Sequence, residues 1–222
     1  RRSGARWPTV VPPFAPIVGF TAVVDGTDEG LPDTPLRLIA AGKINTSPSG
    51  AKITMVLGTN TDELALFLVS MPEVVPGVTL PIQGAGMRVV ADHIVAYHDG
   101  WNGTTAAQFE AAYPIEACKH EANCLTAAGT DFCFRCGTRQ SARALAAAGI
   151  DVYLYHFDYR TPSYKDPASV GCELLDEVGC GVFHGVEVPY VWQAAGDGSA
   201  GGEAVSAAMG TRSLTPSPPA AP

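Results

Sequence analysis

Two short apolar runs, each opening into a polar turn, set the frame of this chain. Lys52–Leu57 is rich in β-branched residues and closed by Gly58, which predicts an interior parallel strand rather than an amphipathic helix. Residues 151–157 alternate Val152, Leu154 and His156 against Tyr153, Tyr155 and Phe157, the two-residue period of a second strand. Between them the longest helical pattern is Asp131–Ala148, with Asp131 as its cap, Ala142, Leu145 and Ala146 on its apolar side, and Gly149 as its stop. Helix, tight turn and strand in succession belong to a wound α/β sheet. Shorter helices are expected at Leu36–Gly42 behind Pro35, from Leu64 towards Met71, at Met87–His98 and at Thr104–Tyr113. Residues 158–180 read as loop.

The ends differ from this middle. Residues 1–16 are proline- and arginine-rich and read as a connector, residues 17–193 hold the patterned region, and residues 194–222 read as a flexible Gly/Ala/Ser/Pro tail. Hydrophobic residues make up 46% of the 222 and charged residues 16%, the balance of a buried globular core. The net charge of −8 comes without any basic run, which argues against a nucleic-acid or anionic-membrane partner and for a small molecule. No stretch approaches the ~18 consecutive apolar residues of a membrane span. Pro8, Pro12, Pro13 and Pro16 interrupt anything like a signal sequence behind Arg1 and Arg2.

The candidate chemistry lies in two loops. After the first strand, Gly58–Glu63 carries two adjacent carboxylates, Asp62 and Glu63, at the carboxyl end where open α/β sheets place their ligand crevice. Far downstream, Gly181-Val182-Phe183-His184-Gly185-Val186-Glu187 holds a histidine between two small-residue turns, a placement suited to a general base. Acid first and histidine later is the chain order of the last two members of an α/β-hydrolase triad. A solvated acidic turn that caps the next helix is the bland alternative for the two carboxylates.

Four ordered blocks bear a resemblance: Val23–Gly26 with Leu31–Pro35, Leu57–Glu63, Val152–Tyr159 and Phe183–Val191. Over roughly residues 17–192 the chain resembles the C-terminal part of the type-B carboxylesterase and lipase family, which includes the cholinesterases. The resemblance implies an α/β-hydrolase fold, of which this chain would supply the C-terminal portion as an incomplete mixed sheet with flanking helices. It implies hydrolysis of a small-molecule carboxylic ester through a covalent acyl-enzyme, with no metal or organic cofactor. On the family pattern His184 is the general base and acid, and Glu63, rather than Asp62, orients it. Leu64 departs from that pattern, which usually has Gly there.

The sequence contains no Gly-x-Ser-x-Gly nucleophile elbow and no glycine-rich oxyanion loop. Gly196–Gly202 is a scrambled echo of the elbow, placed after the histidine in the stretch read as a tail. The chain therefore reads as a fragment that holds acid and base but needs the N-terminal part of the domain. A catalytically silent cholinesterase-like binding or adhesion module is the reading in a different class.

Six cysteines and two sequons, at Asn45 and Asn102, favour an oxidising, secretory or extracellular setting. Cys172 and Cys180 bracket a short loop before His184 and form the expected disulfide. Cys118, Cys124, Cys133 and Cys136 allow three further pairings. Cys133-Phe134-Arg135-Cys136 with Cys118, Cys124 or His120 has the spacing of a zinc site, but it falls in a helical pattern with no second CxxC. His156 is expected in the core or a pocket wall.

Overall fold

A computed structural model describes residues 24–44, 53–74, 77–79, 82, 108, 111–114, 121–161, 181–194 and 199–212. Among the described residues the sheet has two strands, β1 (Thr54–Asn60) and β2 (Asp151–Phe157). They run parallel in register from Thr54 opposite Asp151 to Asn60 opposite Phe157. Both predicted strands are present, and β1 runs through Gly58 to Asn60 instead of stopping at it. A parallel pair needs a long crossover, and helices supply it.

The first helix, α1 (Pro35–Ala40), starts at Pro35, whose fixed φ suits the first helical turn and whose missing N–H costs nothing there. After β1 come two single turns, α2 (Ala65–Leu68) and α3 (Met71–Val74). The crossover then carries α4 (Glu121–Thr130), one π-helical turn (Asp131–Arg135) and α5 (Cys136–Ala147) as one continuous rod. Asp131 is thus not the cap expected of it. It lies mid-rod, where its carboxylate accepts the Tyr113 hydroxyl at 2.9 Å and pairs with Arg135 one turn on. The phenol of Tyr113 is pushed up to about 12 by burial and by this acidic partner.

At the far end of α5 the amides of Gly149 and Ile150 bond back to the Ala146 and Leu145 carbonyls, and the chain turns directly into β2. Its amphipathic side packs on both strands. The core gathers at the carboxyl end of the sheet, from Leu64, Leu68 and Met71, Leu125 and Ala128 of α4, Phe157 of β2, and Val182, Val186 and Tyr190 of the histidine loop. Val56 and Leu154, further back along the strands, are exposed.

The stretch read as a flexible tail contains a helix. After α6 (Val188–Val191), α7 spans Ala200–Arg212. Ser199 caps it, its Oγ accepting the Gly202 N–H at 3.0 Å and meeting the Tyr159 hydroxyl at 3.1 Å. Val205 and Met209 pack on the core, and the Ser206 hydroxyl donates to the Tyr190 carbonyl. Three glycines weaken the intrinsic helix here, so packing sustains it. The predicted helix at Met87–His98 and most of Thr104–Tyr113 lie outside the described residues, as do residues 1–16.

Candidate active site

The polar turn that leaves β1 is pinned residue by residue. Thr61 bonds to the end of β2, its N–H donating to the Phe157 carbonyl at 3.1 Å and its hydroxyl lying 2.8 Å from Asp158 Oδ1. Asp62 reaches the histidine loop, donating its N–H to the Val182 carbonyl at 3.0 Å and accepting the Val182 N–H on Oδ2 at 2.8 Å. Glu63 turns inward, only 4% exposed, and accepts the Asn60 N–H on Oε1 at 2.7 Å. Its other oxygen, Oε2, lies 2.7 Å from His184 Nδ1. Of the two neighbouring carboxylates, Glu63 is the one that meets the imidazole.

Leu64 sits where a glycine was expected. It is fully buried, and its side chain occupies the space over Gly129 of α4, where an added Cβ would fall 1.9 Å from Leu64 Cδ2. Its N–H donates to Thr130 Oγ1 at 3.2 Å. The bulk of one residue is matched by the lack of bulk in the other.

His184 is 49% exposed at its side chain. Nδ1 faces the Glu63 carboxylate, which leaves Nε2 on the other side of the ring. The rings of Phe67 and Phe134 lie 5.3 and 5.1 Å from the imidazole, centroid to centroid, and stack on each other at 5.9 Å. Phe134 arrives from the π-helical turn. Such turns add a residue to a helix and re-aim the side chains around it, and here they aim a ring at the histidine.

The Glu63 hydrogen bond, opposed by burial and assisted by the charges of Glu63 and Glu187, raises His184 above its ordinary value of 6.5. Glu187 comes from the same loop and accepts an N–H of the Asn60 side chain on Oε2, while Asn60 Nδ2 also donates to the Phe183 carbonyl at 2.8 Å. Asn60 is fully buried and links both carboxylates, Glu63 through its backbone and Glu187 through its amide. Nothing in a lone Asn between two threonines marks it as such a bridge; only the strand register and the loop across from it do.

The other candidates fall elsewhere. His156 is exposed, against the expectation of a core or pocket-wall position, with Nε2 at 3.1 Å from Thr61 Oγ1. Cys133 and Cys136 are free thiols, not a disulfide pair, and burial pushes Cys133 up to about 12. Cys124 is disulfide-bonded. Among the described residues there is no group of three or more His, Cys, Asp or Glu side chains that could hold a metal. Cys118, His120, Cys172, Cys180, Asn45 and Asn102 all lie outside the described residues. Ser199, in the echo of the elbow, is engaged as a helix cap. No helix among the described residues is long and apolar enough to cross a membrane.

A buried acid at the end of a parallel strand, hydrogen-bonded to a histidine on a distant loop, is an arrangement shared with α/β-hydrolases. The sequence profile of the carboxylesterase family matches residues 5–198, and the chain belongs to that family. The family's fold is the α/β-hydrolase fold, to which the parallel pair and its crossover helices conform, and its members are ester hydrolases. No curated protein matches the chain.

Proposed function

We propose that this chain carries the acid and the base of a serine-type carboxylic ester hydrolase. The observation behind this reading is the 2.7 Å contact between buried Glu63 and His184 Nδ1. In the proposed mechanism Glu63 accepts a hydrogen bond from the Nδ1–H, which stays on the ring, and so fixes the tautomer with Nε2 unprotonated. His184 Nε2 takes the proton of an attacking serine hydroxyl and returns it to the leaving alcohol, and Glu63 stabilises the imidazolium between those steps. The nucleophile and the oxyanion donors come from a preceding part of the domain, because this sequence holds no Gly-x-Ser-x-Gly. The substrate is a small-molecule carboxylic ester, and a secretory or extracellular setting fits the cysteines and sequons.

The test joins the chain to its upstream coding sequence and assays nitrophenyl esters of graded acyl length. The joined protein is expected to hydrolyse them and to show an acyl-enzyme burst, and His184→Ala is expected to reduce kcat by on the order of 10⁴-fold or more. A joined, folded protein with no hydrolysis and no serine labelled by a fluorophosphonate would favour the binding-module reading instead.

A further inference from the structure

We infer that Asp62 is a positioning residue whose bond to the Val182 amide sets the separation between Glu63 and His184. The inference rests on the Glu63–His184 pairing of the proposed function and adds the device that holds it. Two bonds run in opposite directions between residues 62 and 182, which are 120 apart in sequence. Glu63 is the residue after Asp62, and His184 lies two beyond Val182. The clamp and the acid–base contact therefore close one small ring of chain, and the length of one bond is tied to the other.

Gly181 is shaped for this approach. Its φ of +58° is a conformation that side-chain-bearing residues rarely adopt, and a Cβ there would fall 2.1 Å from Asp62 Oδ2. The carboxylate passes through the space the missing side chain leaves. His184 gains little fixing from its own surroundings, being half exposed and touched by two rings through tilted contacts. A slip of ~1 Å in the loop would stretch a 2.7 Å bond beyond useful geometry, and such displacements cost on the order of 10²-fold in rate.

The experiment uses this chain and reads His184 directly by NMR, through its downfield Nδ1 proton and the midpoint of its ring titration. The carboxylates that act on His184 are Glu63 and Glu187, and both stay in place. Asp62→Asn keeps an acceptor for the Val182 N–H but drops the charge; it is expected to retain the proton signal. Asp62→Ala and Gly181→Ala are expected to lose the signal and lower the midpoint, with the fold retained by circular dichroism. Glu63→Gln, run alongside, tests the pair itself. If Glu63→Gln moves the midpoint while folded Asp62→Ala or Gly181→Ala leaves signal and midpoint as they were, the clamp is wrong and the pair stands. If Glu63→Gln moves nothing, the pair itself is wrong. Should both alanine variants fail to fold, Asp62→Ser, whose hydroxyl is too short to reach the Val182 N–H, decides: a folded Ser variant that keeps signal and midpoint overturns the inference, and one that loses them supports it. In the joined enzyme, loss of the clamp is expected in kcat, with KM unchanged.

Discussion

Glu63 and burial pull on the His184 ring in opposite directions. The histidine is raised above 6.5 chiefly by the Glu63 hydrogen bond, while its partial burial pulls the other way. The sign follows directly. A raised folded value means that the contribution of the Glu63–imidazolium bond to stability is full below the unfolded value and fades as pH climbs through the folded one. The proposed mechanism needs the opposite form, with Nε2 unprotonated, so ester hydrolysis by the joined protein is expected to rise with pH through that same folded midpoint. Glu63→Gln takes away the charge and the better acceptor, leaving burial dominant. An NMR titration of the variant is expected to place His184 at or below 6.5, where the unmodified chain titrates above it. The histidine and the acidic pair were legible from their order along the chain, the loops that carry them and the resemblance to the carboxylesterase family. The choice of Glu63 over Asp62 came from the family pattern and not from the local residues, because the contacts of the two are with residues 182 and 184, on a loop about 120 positions away.

At the scale of elements, the rod from Glu121 to Ala147 delivers Phe134 to the imidazole. Phe134→Ala removes that wall, and in the joined enzyme it is expected to lower kcat more than it alters KM, since the ring touches the base. Helix α7 invites a second measurement. Ser199→Ala is expected to cost ~1 kcal/mol in a urea titration, with Ser199→Asp restoring most of it, as for other N-cap side chains. Both strands were readable because their periodicity is local. Helix α7 was hidden because Gly201, Gly202 and Gly210 look like linker chemistry, and the partners that override them, Tyr159 and Tyr190, lie outside its own window. The extra reach of the crossover rod was missed for a related reason: Asp131 has the chemistry of a cap but spends it on Tyr113 and Arg135.

For the molecule as a whole, the described sheet is dry at one end and open at the other. Its carboxyl end is buried by the acid turn, the histidine loop and α4, while Val56 and Leu154 are exposed and, by strand register, on opposite faces. Parallel sheets are ordinarily covered on both faces. The chain expressed alone is therefore expected to self-associate, and Val56→Lys with Leu154→Lys is expected to shift it towards monomer in light scattering behind size exclusion. The same comparison on the joined protein should find little to correct if the upstream part covers those positions.

The fit of Leu64 over Gly129 has a consequence for how this lineage can change. Gly129→Ala would drive a methyl into Leu64, and overpacking of this kind costs ~1–3 kcal/mol; Leu64→Ala in the same chain is expected to recover most of it in a double-mutant cycle. Neither position is free to drift alone. Glycine at 64 would open a void that a larger residue at 129 could fill, so bulk lost at one of the two sites is expected to be tolerated best when it is gained at the other.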